Sequence, residues 1–182
     1  MKISGKIIML AIPKNQFDEE ELFETRAVLE SAGARTIVLS KTGQEAGGMK
    51  KTRFKPDGMI VDWNKQAGVA AKYDAVLVIG GKGSEKFLWD DPILPQILTD
   101  HYRAGKIVGA SGLSVAVLAR AALLGGEASG PDYAPFLKEL AGSGTVRTDR
   151  AVTCCGKVVS ASGGEASREF AETIVDLLAA DG

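Results

Sequence analysis

Glu21, Ser111, Ser114, His101 and the Cys154-Cys155 pair are the side chains of this sequence best suited to acid–base or nucleophilic chemistry. Glu21 closes the run Asp18-Glu19-Glu20-Glu21 at the start of an apolar, helix-like stretch. Asp18 as N-cap with Glu21 three residues later reads as a capping box, and acids in a first turn complement the helix dipole. The second reading turns Glu21 toward the end of the preceding strand as a buried acid or base, and spacing leaves both open. Ser111 and Ser114 lie in IVGASGLS, a strand, sharp turn and helix with the outline of a nucleophile elbow, although GASGLS is not G-x-S-x-G. Gly80-Gly81 follows the apolar run AVLVI. It reads either as a tight turn or as a place where free backbone N–H groups meet an anion or oxyanion. The Lys-Gly-Ser that follows makes neither a Walker A loop nor G-x-G-x-x-G, so a nucleotide site has no support. His101 ends the helix before Ile107 and so belongs to the amino edge of that strand, roughly 13 Å of chain from Ser111 at ~3.3 Å per residue. It is expected to be a cation at a helix C-terminus, not a base for either serine. Cys154 and Cys155 fall at a hairpin turn, outside any elbow. They read as buried or surface thiols, one of them oxidisable, in a spacing unlike C-x-x-C.

Composition narrows the field. With one histidine and two adjacent cysteines in 182 residues, no His₃ or Cys₄ metal cage can form, and neither metal nor cofactor is expected. A net charge of −1 gives no footprint for nucleic acid or an anionic membrane. The balance of 45% hydrophobic and 25% charged residues is that of a soluble globular chain. No run of about 18 uncharged apolar residues offers a membrane span. The N-terminus lacks the features of a signal peptide and reads as a first strand, and the two neighbouring cysteines make no disulfide framework. The expected setting is the reducing cytoplasm.

These side chains must be held by elements that alternate. Strands are expected at Lys6 to Ile12, Thr36 to Ser40, Ala75 to Ile79 and Ile107 to Ala110. Helices are expected at Asp18 to Ala32, Pro92 to Ala104, Val115 to Leu124, Tyr133 to Leu140 and Ala166 to Leu178. Gly43 to Gly48 reads as a glycine-rich surface loop. Met49 to Trp63 reads as a hairpin about its Lys-Pro-Asp-Gly turn, and Ala151 to Ala161 as a hairpin turning near Cys155-Gly156. Continuous apolar strands between helices mean an α/β fold, a mostly parallel sheet with helices on both faces, in a single domain over 1–182. Ligands in such sheets sit at the carboxyl ends of strands.

Together these segments resemble the ThiJ/PfpI family of the class I glutamine amidotransferase-like superfamily over nearly the whole chain. YDAVLVIGG resembles its D-x-x-x-x-P-G-G strand, with Ile79 where proline is usual. AGKIVGASGLSVAVLARAALL resembles its elbow segment, and KVVSASGGEASREFAETIVDLL its closing strand and helix. The resemblance implies a flavodoxin-like three-layer sandwich, a homodimer, and an acidic active-site residue at Glu21. Gly105-Lys106 before the elbow and Leu118 to Leu124 after it fix the register, which sets Gly112 where the family carries its cysteine. Leu113 then takes the neighbouring position, and Ser162 and Gly164 take the places of the usual Arg and Pro. An elbow residue is strained unless it is glycine, so Gly112 is expected to keep the turn without the thiol.

Two functional readings follow. In the first, the chain is a non-catalytic or diverged family member. It binds a small polar ligand or a partner at a pocket of Glu21, Gly80, Gly81, Ser111, Gly112 and Ser114. In the second it is a hydrolase, or an enzyme of the glyoxalase or deglycase type, in which Ser111 or Ser114 attacks and Glu21 moves the proton.

Overall fold

A computed structural model describes residues 1–61 and 71–181. The chain opens with β1 (Ile7–Ala11), α1 (Glu19–Ser31) and β2 (Arg35–Ser40), then three two-residue strands, β3 (Ala46–Gly47), β4 (Arg53–Phe54) and β5 (Gly58–Met59). β6 (Ala75–Val78), α2 (Gly83–Phe87), α3 (Leu94–Arg103) and β7 (Ile107–Ser111) follow. A 3-10 turn over Gly112–Ser114 then leads into α4 (Val115–Arg120). The last third holds β8 (Glu127–Ser129), α5 (Ala134–Gly142), β9 (Val146–Thr148), β10 (Val152–Cys155) and β11 (Val158–Ala161). A second 3-10 turn, Gly164–Ala166, then leads into α6 (Ser167–Asp181).

Seven strands form one sheet in the order β10-β11-β7-β6-β1-β2-β5, parallel throughout except for β10 against β11. β1 shows why its sequence is apolar at every position. Ile8 and Leu10 pack in the core shared with α1 and α6, while Met9 and Ala11 face the core built with α3, α4 and α5. A strand buried on both faces cannot alternate with polar residues. The result is the flavodoxin-like three-layer sandwich. β2 lies on one side of β1 and β6 on the other. The direction of winding reverses between β1 and β6, and a crevice opens at their carboxyl ends.

Three expectations are corrected. The segment from Met49 does not fold into a hairpin. β4 pairs antiparallel with β3, and β5 runs parallel to β2. The Pro56-Asp57 turn is docked on β2, since Asp57 N donates to Val38 O and Asp57 Oδ2 accepts from Val38 N, each at 2.8 Å. Trp63, its far end, lies outside the described residues. The stretch Gly43 to Gly48 is not simply a surface loop, because it contains β3 and buries Ala46. The helix expected to reach Leu124 stops at Arg120. Ala122 takes a φ of 57°, and Leu123 N bonds back to Leu118 O, the closure of a Schellman motif. The Cys155-Gly156 hairpin forms as expected, with both cysteines exposed.

Candidate functional site

α1 begins where its sequence says it should, and the first turn decides what Glu21 does. Asp18 is the N-cap, and its Oδ1 accepts from Glu21 N at 3.1 Å. The reciprocal half of a capping box is missing. Asp18 N donates instead to Gly80 O at 3.0 Å, and the Glu21 carboxyl reaches across to accept from Gly80 N, also at 3.0 Å. The helix start is thus laced to the end of β6. Glu19 serves the neighbouring loop, accepting from Lys50 N at 2.8 Å and Thr52 N at 3.3 Å.

This lacing explains the glycine pair. A Cβ on Gly80 would lie 2.5 Å from Ser111 O and 2.8 Å from Glu21 Oε1. One on Gly81 would lie 2.4 Å from Gln16 O and 2.5 Å from Asp18 N. Two glycines let the β1–α1 loop and the Glu21 carboxyl close onto the strand end.

At the end of β7 the backbone turns at Gly112, whose φ is 59°, whereas Ser111 is ordinary extended chain with φ −126° and ψ 144°. The positive-φ residue of this turn is therefore Gly112. A Cβ on Gly112 would point at the Glu21 carboxyl, 2.8 Å from Oε2 and 3.2 Å from Oε1. The turn is pinned from behind. Ser114 Oγ donates to Ile79 O at 2.8 Å and lies 2.7 Å from Ser84 Oγ, and Trp89 Nε1 donates to Leu113 O at 2.8 Å.

Glu21 is 2% exposed. Burial pushes its carboxyl up to about 8, and the charge of Asp18 adds to the rise. The Ser111 hydroxyl and the Gly80 N–H pull the other way without prevailing. Near neutral pH it is a carboxylic acid able to donate its proton. Ser111 lies close enough to influence it, yet Ser111 Oγ is buried and makes no hydrogen bond of acceptable geometry.

Over this arrangement lies a cavity of about 190 Å³, lined by Asp18, Glu21, Met49, Gly81, Lys82, Gly112, Leu113, Pro131, Ser162, Gly163 and Gly164. Of the six residues expected at a pocket, Glu21, Gly81 and Gly112 line it. Gly80 and Ser111 are buried and do not line it, and Ser114 is tied into the scaffold. The expected pocket lacked Asp18, Met49, Lys82, Pro131 and Gly163, and Leu113, Ser162 and Gly164 entered only as positions matched by the resemblance. Asp18 carried a signal as the neighbour of Glu21 on one helix turn, whereas Met49 and Pro131 arrive from loops that show no pattern. A larger hollow, about 530 Å³, lies between α4 and α5. We do not place the site there, because two of its three charged residues, Arg120 and Glu139, are consumed by their own ion pair at 2.7 Å.

His101 corrects an expectation. It is fully buried, with Nε2 accepting from Tyr73 N at 3.2 Å and Nδ1 2.7 Å from Ile97 O. Since Nε2 accepts, Nδ1 carries the hydrogen and the ring is neutral. Burial lowers its pKa below the usual histidine value. It is a strut at the amino edge of the sheet and not a surface cation. Among the described residues no group of three or more His, Cys, Asp or Glu is placed to hold a metal ion, and no helix is long and apolar enough to cross a membrane.

An acidic residue on the first helix, a glycine pair after β6 and a sharp turn after β7, meeting at the carboxyl edge of this sheet, define a class. The chain belongs to the DJ-1/PfpI family, whose model matches residues 6–177. An uncharacterized protein of Methanocaldococcus jannaschii is 35% identical over 168 residues, covering 92% of this chain and 79% of that one. Among solved structures, a ThiJ/PfpI domain protein from Brachyspira murdochii superposes with a TM-score of 0.86 at 25% identity, over 97% of this chain and 98% of that one. Drosophila melanogaster DJ-1beta superposes with a TM-score of 0.78 at 22% identity, over 96% and 90%, a likeness of fold.

Proposed function

We propose that this protein is a family member without the nucleophile, which binds a small polar ligand in the cavity above Gly112. The observation that carries the reading is Gly112 itself. It stands at the positive-φ elbow with the Glu21 carboxyl where a side chain would begin, and neither cysteine is near, both lying on the edge strand β10. A neutral Glu21 offers an O–H donor and Lys82 an ammonium, so the ligand presents oxygen acceptors. Met49, Leu113 and Pro131 supply an apolar wall beside them. Ser111 is an unsuitable nucleophile, because it is fully buried and does not line the cavity. We further propose that the protein works as a homodimer in the cytoplasm. A mass near 19 kDa by light scattering would remove the dimer.

The test is to assay the purified protein with methylglyoxal and with generic ester and peptide substrates, beside Ser111→Ala, Glu21→Gln and Gly112→Cys. Neither wild type nor Ser111→Ala is expected to turn over any of them. Gly112→Cys should gain a thiol that reacts with iodoacetamide and loses that reactivity in the double variant with Glu21→Gln. Turnover by the wild type that disappears in Ser111→Ala would overturn the proposal in favour of a serine enzyme.

A further inference from the structure

Three hydroxyls among the described residues are buried without a partner: Thr25 Oγ1, Ser111 Oγ and Ser167 Oγ. All three residues are fully buried. They come from separate parts of the sequence, on β7 and on the buried faces of α1 and α6, the two helices that cover one face of the sheet. Along β7, Ile107 belongs to the core shared with α1 and α6, and Val108 and Ala110 to the other. Ser111, in phase with Ile107, therefore faces α1 and α6. Thr25 stands one turn after Glu21 on the buried face of α1. Ser167 opens α6, which packs along α1. One turn later Phe170 reaches β7, where a Cβ on Gly109 would lie 3.2 Å from Phe170 Cε1. Ser167 thus sits near the level of Ser111.

A buried hydroxyl without a partner forfeits its hydration and gains nothing in return, so buried polar atoms in folded proteins are satisfied by protein or by ordered water. Water held inside a protein requires about two to four polar partners. Three hydroxyls together with the Glu21 carboxyl, on which Ser111 already acts, would provide that number. We infer that Thr25, Ser111 and Ser167 line an internal hydration site beneath the Gly112 elbow, where ordered water joins them to the Glu21 carboxyl. The site makes Thr25 and Ser167 positioning residues for Glu21. It gives the acid a hydrogen-bonded path on the side facing away from the cavity, so its proton can exchange while a ligand covers it. Asp18 is the charged group acting on Glu21 from the cavity side.

Thr25→Val, of nearly equal shape, is the sharpest test, with Ser167→Ala as the second variant on a different helix. In the full chain, thermal unfolding and the ¹³C titration of the Glu21 carboxyl are measured together. If water bridges these groups, each substitution lowers Tm by a few degrees and raises the Glu21 midpoint by about half a pH unit, because the charged form loses a donor. Hydroxyls that are merely orphaned would behave oppositely, since removing one relieves a penalty. Tm would then hold or rise with the midpoint unmoved, and the inference would fail. A lower Tm with an unmoved midpoint would also overturn it, by separating the water from Glu21. Should either variant not fold, a high-resolution crystal structure of the wild type decides, through solvent density or its absence among the three hydroxyls.

Discussion

Glu21 and His101 are both buried ionisable side chains, and burial drives each to neutrality from opposite directions. The carboxyl is pushed up to about 8, whereas the imidazole is pushed below its usual value. What separates them is the use of their hydrogen-bonding capacity. Both His101 nitrogens are engaged, by Tyr73 N and Ile97 O, at the amino edge of the sheet. Glu21 spends one oxygen on Gly80 N and borders a cavity at the carboxyl edge. A perturbed pKa marks a functional residue only when the group still faces a space that a ligand can fill.

The largest effect expected from breaking this contrast is on the strut. His101→Ala removes a buried ring and strands the Tyr73 N–H, which should cost roughly 3 to 5 kcal/mol in urea unfolding at pH 7. Cavity binding in the folded fraction should be unchanged. A loss below about 1 kcal/mol would show that His101 is not the tie its geometry implies.

The two groups also oppose each other in pH dependence. Folded Glu21 keeps its proton up to about pH 8 while the unfolded chain loses it near 4.5. Its contribution is therefore fully present below 4.5 and is lost as pH rises to about 8, at about 1.4 kcal/mol per pH unit. The His101 contribution is fully present above the usual value of 6.5 and is lost as pH falls below it. Glu21→Gln removes the first term. It should match wild type near pH 4.5 and be more stable by a few kcal/mol at pH 8. Parallel stability profiles would mean that Glu21 ionises normally, and its reading as a proton donor would be lost.

Gly112→Ala tests the space that Glu21 occupies. An L side chain at a φ of 59° costs about 1–2 kcal/mol, and its Cβ forces the carboxyl aside. The measured loss should fall in that range, with the Glu21 ¹³C midpoint displaced. An unmoved midpoint would show that the carboxyl does not lean on the elbow.

How far these features could be read beforehand follows from their range in sequence. The layered α/β fold was legible because each long strand is apolar on both faces, as β1 shows through Ile8 and Met9. The hairpin from Met49 was misread because a Pro-Asp-Gly turn says where the chain reverses and not which edge it meets. Here Asp57 meets Val38 of β2. His101 departs from the expected surface cation because its helical phase, not its place near the helix end, decides its burial. Leu94, Ile97, Leu98 and His101 form one buried stripe, and the histidine shares the spacing of the leucines. The glycine turn after β7 and the helix start that carries Glu21 are visible as local features, but their meeting depends on β6 lying between β1 and β7. Met49 and Pro131 carry no periodicity, so no local pattern places them at the cavity.

The finest test separates the influences that raise the Glu21 pKa, burial first and then the charge and side-chain hydrogen bond of Asp18. Asp18→Asn removes the charge and retains an oxygen able to cap Glu21 N, and asparagine caps helices about as well as aspartate. Stability at pH 7 should change by less than about 0.5 kcal/mol. The Glu21 midpoint should fall by a few tenths of a pH unit and stay well above 4.5, because the desolvation that dominates is untouched. A fall all the way to the ordinary range would make Asp18, and not burial, the cause of neutrality. Glu21 would then differ from His101 in the origin of its shift as well as in its surroundings, and the acid could be switched by any cation that approached Asp18 from the cavity.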